Sequence, residues 1–250
     1  IVNTILSGYQ TALMAPTEIL AKQHYNTIFR LLQPYGFNIQ FISGSTPEAL
    51  KKQILNQLKT GTVDLIIGTH SVIQENVAFH NLGLAVIDEQ HRFGVKQRDI
   101  LKSHGSPHLL SLSATPIPRT LAMTIYGDQD LSIIAEMPKG RQKIITRIVP
   151  EAKRLDAYRW IEEQIQNGRQ AFIICPLIDE SDVLEVKSAI QEFEYLQEHI
   201  FPKLKVGLLH GKMHPKDKEE IMASFSNNHI QVLVSTSVIE VGIDVPNASI

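Results

Sequence analysis

The stretch "LGLAVIDEQHRFG", Leu82 to Gly94, brings two adjacent carboxylates, Asp88 and Glu89, to the end of an apolar run. Apolar residues at Leu84 to Ile87 followed by Asp-Glu fit the Walker B pattern, in which the first carboxylate holds hydrated Mg²⁺ and the second orients an attacking water. On these six residues alone, a second reading stands beside it, with Asp88 simply capping a following helix. The chemistry also needs a loop that cradles phosphates. The pattern G-x-x-x-x-G-K-S/T occurs nowhere in the 250 residues. "GLLHGKM" (207–213) imitates it with one residue too few between the glycines and a methionine where the Mg²⁺-binding hydroxyl belongs.

Other short apolar runs end on small polar residues: Pro16-Thr17, Ser43-Gly44, Gly68-Thr69, Ser113-Ala114-Thr115, His210-Gly211 and Ser235-Thr236. Open parallel sheets bind ligands beyond the carboxyl ends of their strands. An edge of hydroxyls and glycine-exposed amides suits phosphates, because amide donors and helix N-termini hold anions without net protein charge. Two histidine pairs at i, i+4 spacing, His104 with His108 and His210 with His214, formally match metal ligation. Both pairs are interrupted by glycine and lie next to proline, so neither sits on the continuous helix that a zinc site would need.

The elements that position these groups follow from pattern. β-rich runs alternate with amphipathic stretches: "TALMA" then "TEILAKQHYNTIFRLL", "NIQFIS" then "PEALKKQILNQLK", then "VDLIIGT", "LGLAVID" and "HLLSLSA". That rhythm is the signature of βαβ units, an α/β fold with helices on both faces of a parallel sheet. "EMPKGRQK" (136–143) breaks it with a proline, a glycine and charges, and the rhythm then restarts. The expected organisation is a first lobe over 1–137, a linker over 138–146 and a second lobe over 147–250.

The two lobes are related. Sliding residues 39–69 forward by 167 superposes Ile39 on Val206, Ile42 on Leu209, Gly44 on Gly211, Leu58 on Phe225, Leu65 on Val232 and Thr69 on Thr236, with no gap. Pro16 pairs with Pro176 at a shift of 160, across an insertion. A glycine, a helix face and a threonine held in one register point to a duplicated fold.

Composition bounds the partners. With 43% hydrophobic residues, 20% charged and a formal net charge of -2, the chain is an ordinary globular sequence and no electrostatic nucleic-acid sponge, although a local groove remains open to it. Apolar runs such as "AFIICPLI" fall short of the roughly 18 residues of a membrane helix. No membrane contact is expected, and with no leader pattern the cytoplasm is the default location. Cys175 is the sole cysteine and sits in such a run, which suits a small buried hydrophobe. The chain opens on Ile1, and both ends fall in mid-pattern, so it reads as a piece of something longer.

Taken together, "APTEILAKQH", "GTHSVIQE", "VIDEQHRFGVKQR", "LSLSATPIPRTLAMTIYGDQDLSII", "GLLHGKMHPKDKEEIM" and "STSVIEVGIDVPNA" resemble, in this order, the motifs of the superfamily 2 helicases over nearly the whole chain. The wording is similar to that of bacterial ATP-dependent DNA helicases of this superfamily. The resemblance implies two RecA-like lobes of the P-loop NTPase type, with ATP and Mg²⁺ between them and DNA across both.

It assigns catalysis to Asp88 and Glu89, within the DExH box that His91 closes, with Asp88 on Mg²⁺ through water. It places His91, Ser113, Ala114, Thr115, Gly242 and Asp244 in nucleotide binding or its coupling to DNA, and Pro16, Thr17, Ser43, Gly44, Thr69, His70, Gly211 and Thr236 on DNA. Ser113 remains open to a plain turn before Pro116, and Gly242 to a hairpin. The implied partner is branched or single-stranded DNA, such as forks and Holliday junctions in recombination and repair. The implied assembly is a monomer, at the bacterial nucleoid. A transcription-repair coupling factor or another superfamily 2 helicase is the alternative within the class, and a non-catalytic nucleic-acid-binding scaffold the alternative outside it. Neither the Walker A lysine nor the arginine-rich motif of this superfamily lies in 1–250, so the stretch alone is expected not to hydrolyse ATP.

Overall fold

A computed structural model describes residues 1–74, 77–89, 105, 107–114, 130–136, 144–175, 182–236 and 245–250. Of the residues singled out above, His91, Thr115, Gly242 and Asp244 lie outside the described residues, as does 138–143 of the expected linker.

A short helix α1 (Val2–Leu6), not anticipated from the sequence pattern, precedes strand β1 (Gln10–Met14). Helix α2 (Glu18–Leu32) follows, then β2 (Ile39–Ile42), α3 (Glu48–Lys59), β3 (Leu65–Gly68), β4 (Leu82–Ile87) and β5 (His108–Ser111). The five strands form one sheet in the order β2-β3-β1-β4-β5, and every pairing is parallel. β1 and β3 are buried along their whole length, as a strand covered by helices on both faces must be. One face packs Met14, Ile42, Ile66 and Ile87 against Ile54 and Leu58 of α3. The other packs Leu13, Leu65 and Val86 against Tyr25, Ile28 and Leu32 of α2. The sheet is tight enough to dictate Gly68, where a Cβ would stand 1.9 Å from the Ile42 carbonyl oxygen. β5 pairs with β4 along one edge, and Leu110 and Leu112 beside it are exposed.

The second set of elements is α4 (Arg154–Gln166), β6 (Ala171–Ile174), α5 (Asp182–Tyr195), β7 (Val206–Leu209), α6 (Pro215–Ser226) and β8 (Val232–Ser235). Its strands form a parallel sheet in the order β6-β8-β7. A π-helical turn, Leu196–Ile200, extends α5 and brings Gln197 to donate to the Leu204 carbonyl at 3.1 Å while accepting from the Val206 amide at 3.1 Å.

The repeat seen in the sequence is a repeat in space. β2, α3 and β3 shifted by 167 coincide in their bounds with β7, α6 and β8. The strand registers agree too, Ile39 opposite Leu65 and Val206 opposite Val232. The order β6-β8-β7 reproduces β1-β3-β2. Segments 130–136 and 144–150 carry no regular secondary structure, and Ile134 and Ile148 within them are almost fully exposed. No helix among the described residues is long and apolar enough to cross a membrane.

Candidate functional site

Asp88 and Glu89 stand where β4 leaves the sheet, next to the exits of β1 and β5. The Asp88 amide continues the ladder by donating to the Met14 carbonyl at 2.9 Å. Its Oδ1 accepts from the Glu89 amide at 3.0 Å, and its Oδ2 lies 2.7 Å from Nε2 of His24 on α2. Both side chains of the His24–Asp88 pair are largely covered, at 29% and 18% exposure. Glu89 has φ of 51°, a left-handed backbone that an L-residue adopts at a cost of about 1 kcal/mol or more. That turn takes Glu89 out of the regular strand backbone that ends at Ile87. Across the edge, Leu112 donates its amide to the Ile87 carbonyl at 2.8 Å, which brings exposed Ser113 and Ala114 beside the acidic pair.

The small-polar set gathers at the same carboxyl edge. Thr17 caps α2, its hydroxyl oxygen accepting from the Leu20 amide at 3.3 Å. Ser43, buried at the end of β2, donates its hydroxyl to Glu18 Oε1 at 2.6 Å, and Ser45 donates to the same oxygen. The Ser43 amide is closed off by Thr46 Oγ1 at 2.9 Å, while Gly44 beside it is exposed. Thr69 pairs its hydroxyl with Ser71 at 3.3 Å and leads into His70, which is exposed. Thr69 and Thr236 also make equivalent backbone bonds, to the carbonyls of Ile42 at 3.4 Å and Leu209 at 3.3 Å. Pro16, Thr17, Ser43, Gly44, Thr69 and His70 thus share one edge of the first sheet, and Gly211 and Thr236 the matching edge of the second. Thr236, like Ser43, is buried to 1% exposure, so of that pair it is Gly211 that presents backbone to solvent. "GLLHGKM" is no phosphate loop: it is β7 and a turn in which Met213 donates its amide to the His210 carbonyl at 3.2 Å.

Comparison with known proteins fits this arrangement. Residues 1–124 match the family model of the DEAD/DEAH box helicases, and residues 153–250 that of the helicase conserved C-terminal domain. The chain belongs to the superfamily 2 helicases. It is 47% identical to the ATP-dependent DNA helicase RecG of Synechocystis sp., over 100% of this chain and 30% of that protein. It is likewise 47% identical to RecG of Bacillus subtilis, over 98% of this chain and 36% of that protein. The chain therefore spans about a third of the length of these curated relatives. A solved structure of RecG bound to a three-way DNA junction superposes with a TM-score of 0.72 at 41% identity, covering 96% of this chain and 31% of that one. S. cerevisiae Dbp5 bound to RNA and ADP BeF3 shares the fold, with a TM-score of 0.69 at 19% identity, over 98% of this chain and 63% of that one.

Within this helicase core, three side chains escaped the sequence reading. His24 and Glu18 lie on α2, where the "TEILAKQH" pattern shows only a helix face. The third, Gln10, is 4% exposed and opens β1. Its Nε2 donates to the carbonyls of Leu58 at 2.9 Å and Val63 at 2.8 Å. Gln170 repeats this before β6, donating to Phe225 at 2.6 Å and Ile230 at 2.7 Å. A polar residue next to an apolar strand is the available signal, and its meaning depends on partners some 50 residues away.

Burial raises the Cys175 thiol pKa, and the charge of Glu192 raises it further, which keeps it protonated and inert as expected of a packed hydrophobe. Among the described residues no group of three His, Cys, Asp or Glu side chains gathers to hold a metal by protein ligands alone. Two hard oxygen donors at a strand end instead suit Mg²⁺, which keeps waters and binds through one or two carboxylates plus phosphates.

Proposed function

We propose that this chain is the motor core of an ATP-dependent DNA helicase or translocase that remodels branched DNA, such as forks and Holliday junctions, in recombination and repair. The observation that carries the reading is the placement of Asp88 and Glu89 at the carboxyl edge of a RecA-like sheet, one strand from Pro16-Thr17 and joined to α2 through His24. The whole-chain likeness to RecG supports DNA as the substrate, and the junction-bound RecG structure supports branched DNA. The site of action is then the DNA of the bacterial cytoplasm, at the nucleoid, by a monomer. The lobe boundary is placed in 138–146.

When bound, MgATP supplies a phosphoanhydride whose hydrolysis releases free energy. Asp88 would hold the hydrated Mg²⁺ with a carboxylate whose plane is set by His24 and the Glu89 amide. Glu89, turned out of the strand by its positive φ, would orient the attacking water and accept its proton. Ser113 and Ala114, with His91, Thr115, Gly242 and Asp244, would sense the nucleotide. Thr17, Gly44, Thr69, His70 and Gly211 would grip the DNA backbone by hydroxyls and amides, Pro16 would fix the turn that presents Thr17, and buried Ser43 and Thr236 would shape their loops, Ser43 through Glu18. Contacts of that kind fix register on phosphates and carry little base readout, which suits a motor that must pass any sequence.

The deciding experiment is Glu89→Gln in the full-length protein, following nucleotide binding, ATPase and fork unwinding together. Retained binding with turnover and unwinding reduced about 100-fold or more is expected for loss of a general base. Unchanged ATPase would remove Glu89 from the mechanism, and DNA binding indifferent to nucleotide would favour a scaffold.

A further inference from the structure

We propose that His24 is a positioning residue for the Asp88 carboxylate, and that through it α2 holds the metal site and the DNA grip on one rigid body. The inference rests on the assignment of Asp88 to Mg²⁺ given above.

Asp88 is fastened at three points. Its amide bonds the Met14 carbonyl at 2.9 Å, its Oδ1 receives the Glu89 amide, and its Oδ2 receives His24 Nε2 at 2.7 Å. An ionised carboxylate only accepts, so the proton of the last bond resides on Nε2. Two of the three anchors, Met14 and His24, belong to the single β1–α2 unit.

That unit also carries the grip. Pro16 and Thr17 connect its strand to its helix, and Glu18 in the first turn holds both Ser43 and Ser45. Thr17 and His24 are seven residues apart, so they lie on one face of α2 about two turns, or roughly 10 Å, from each other. Leu20 and Ala21 between them are buried, which seats the helix against the sheet. A phosphate pressing on the helix N-terminus therefore loads the same body that orients Asp88. Without His24 the carboxylate keeps the Glu89 amide as its side-chain anchor and can rotate about it. Hydrogen-bond partners of metal-binding groups are commonly worth about 10- to 100-fold in metal affinity. The low end is expected here, because Asp88 would act through water.

The test uses full-length protein and a fluorescent non-hydrolysable ATP analogue, with binding followed by anisotropy as Mg²⁺ is titrated and no turnover required. His24→Ala is expected to raise the Mg²⁺ concentration for half-maximal tightening about tenfold, while affinity for the analogue in EDTA stays at the parent value. His24→Gln, which returns a donor of similar reach, is expected to restore most of the shift. An unshifted midpoint in His24→Ala overturns the proposal, as does His24→Gln behaving like His24→Ala while both variants melt with the parent. Asp88→Asn separates the two levels of the argument. If it abolishes the Mg²⁺ dependence and His24→Ala does nothing, the positioning role alone fails. If Asp88→Asn leaves the dependence intact, the metal assignment fails with it.

Discussion

His210 ends β7 with its Nδ1 buried and, among the described residues, without a hydrogen-bond partner. Burial lowers its pKa, and the nearby charges of Lys218 and Lys212 lower it further. The sign of the consequence is fixed by linkage. Above the unfolded value of about 6.5 the ring is neutral in both states and contributes no pH dependence. As pH falls below that value the unfolded chain takes up the proton first, and the second lobe loses stability until the folded pKa is passed. His210→Gln is therefore expected to flatten the decline in amide protection of β7 and β8 between pH 7 and pH 5, measured by hydrogen exchange. An equally steep decline in the variant would place the acid sensitivity elsewhere. Lys218 adds a second feature, its Nζ donating to the Gly211 carbonyl at 2.6 Å, so this cation is committed to the turn.

At the level of elements, the repeated strand-helix-strand unit was readable because its spacing is free of insertions: Leu58 and Phe225 face their cores from the same helical position. The glutamines that lock each unit were not readable. Gln10 corresponds to Gln170 at a shift of 160, while the carbonyls they hold correspond at 167, so no single sliding comparison aligns donor and acceptors together. The two locks also differ in strength. Gln10 Oε1 accepts the amides of His80 at 2.8 Å and Asn81 at 3.1 Å, whereas Gln170 Oε1 has no partner among the described residues. A hydrogen bond contributes about 0.5–1.5 kcal/mol net, so Gln10→Ala, which removes four, should destabilise its lobe more than Gln170→Ala, which removes two. Hydrogen exchange at His80 and Asn81, against that around β8, checks this. Equal losses in the two lobes would contradict it.

At the scale of the whole molecule, the two sheets keep separate cores among the described residues, and Ile19 packs across from one to the other. Ile19, in the first turn of α2, packs against the cluster of Leu209, Met222, Phe225 and Leu233 in the second lobe. The contact sits two residues from Thr17, so under the proposed function lobe closure and DNA grip would meet at one helix end. Ile19→Asp puts a charge where a partly buried aliphatic side chain packs, at a cost of order a few kcal/mol against the docked state. It should widen the mean lobe separation in single-molecule FRET of the full-length protein bound to MgATP analogue and lower DNA-stimulated ATPase, with basal nucleotide binding retained. An unchanged distance distribution would show that docking does not depend on this contact.

Fold class, the two lobes, the duplication and the acidic pair were all determined by the sequence. Each rests on local periodicity or adjacency: buried parallel strands read as apolar runs, helices as one-sided patterns, and a carboxylate pair as neighbours in the chain. Only the tertiary structure decided which hydroxyls remain available, since Ser43 and Thr236 share the small-polar signature of Thr17 and Gly211 and yet are buried. It alone placed His24 on Asp88 across 64 residues of sequence, and Gln10 on Val63 across 53. A hydrogen bond is decided by distance and direction at the final packing, and a sequence pattern carries neither until the sheet order brings the strands side by side.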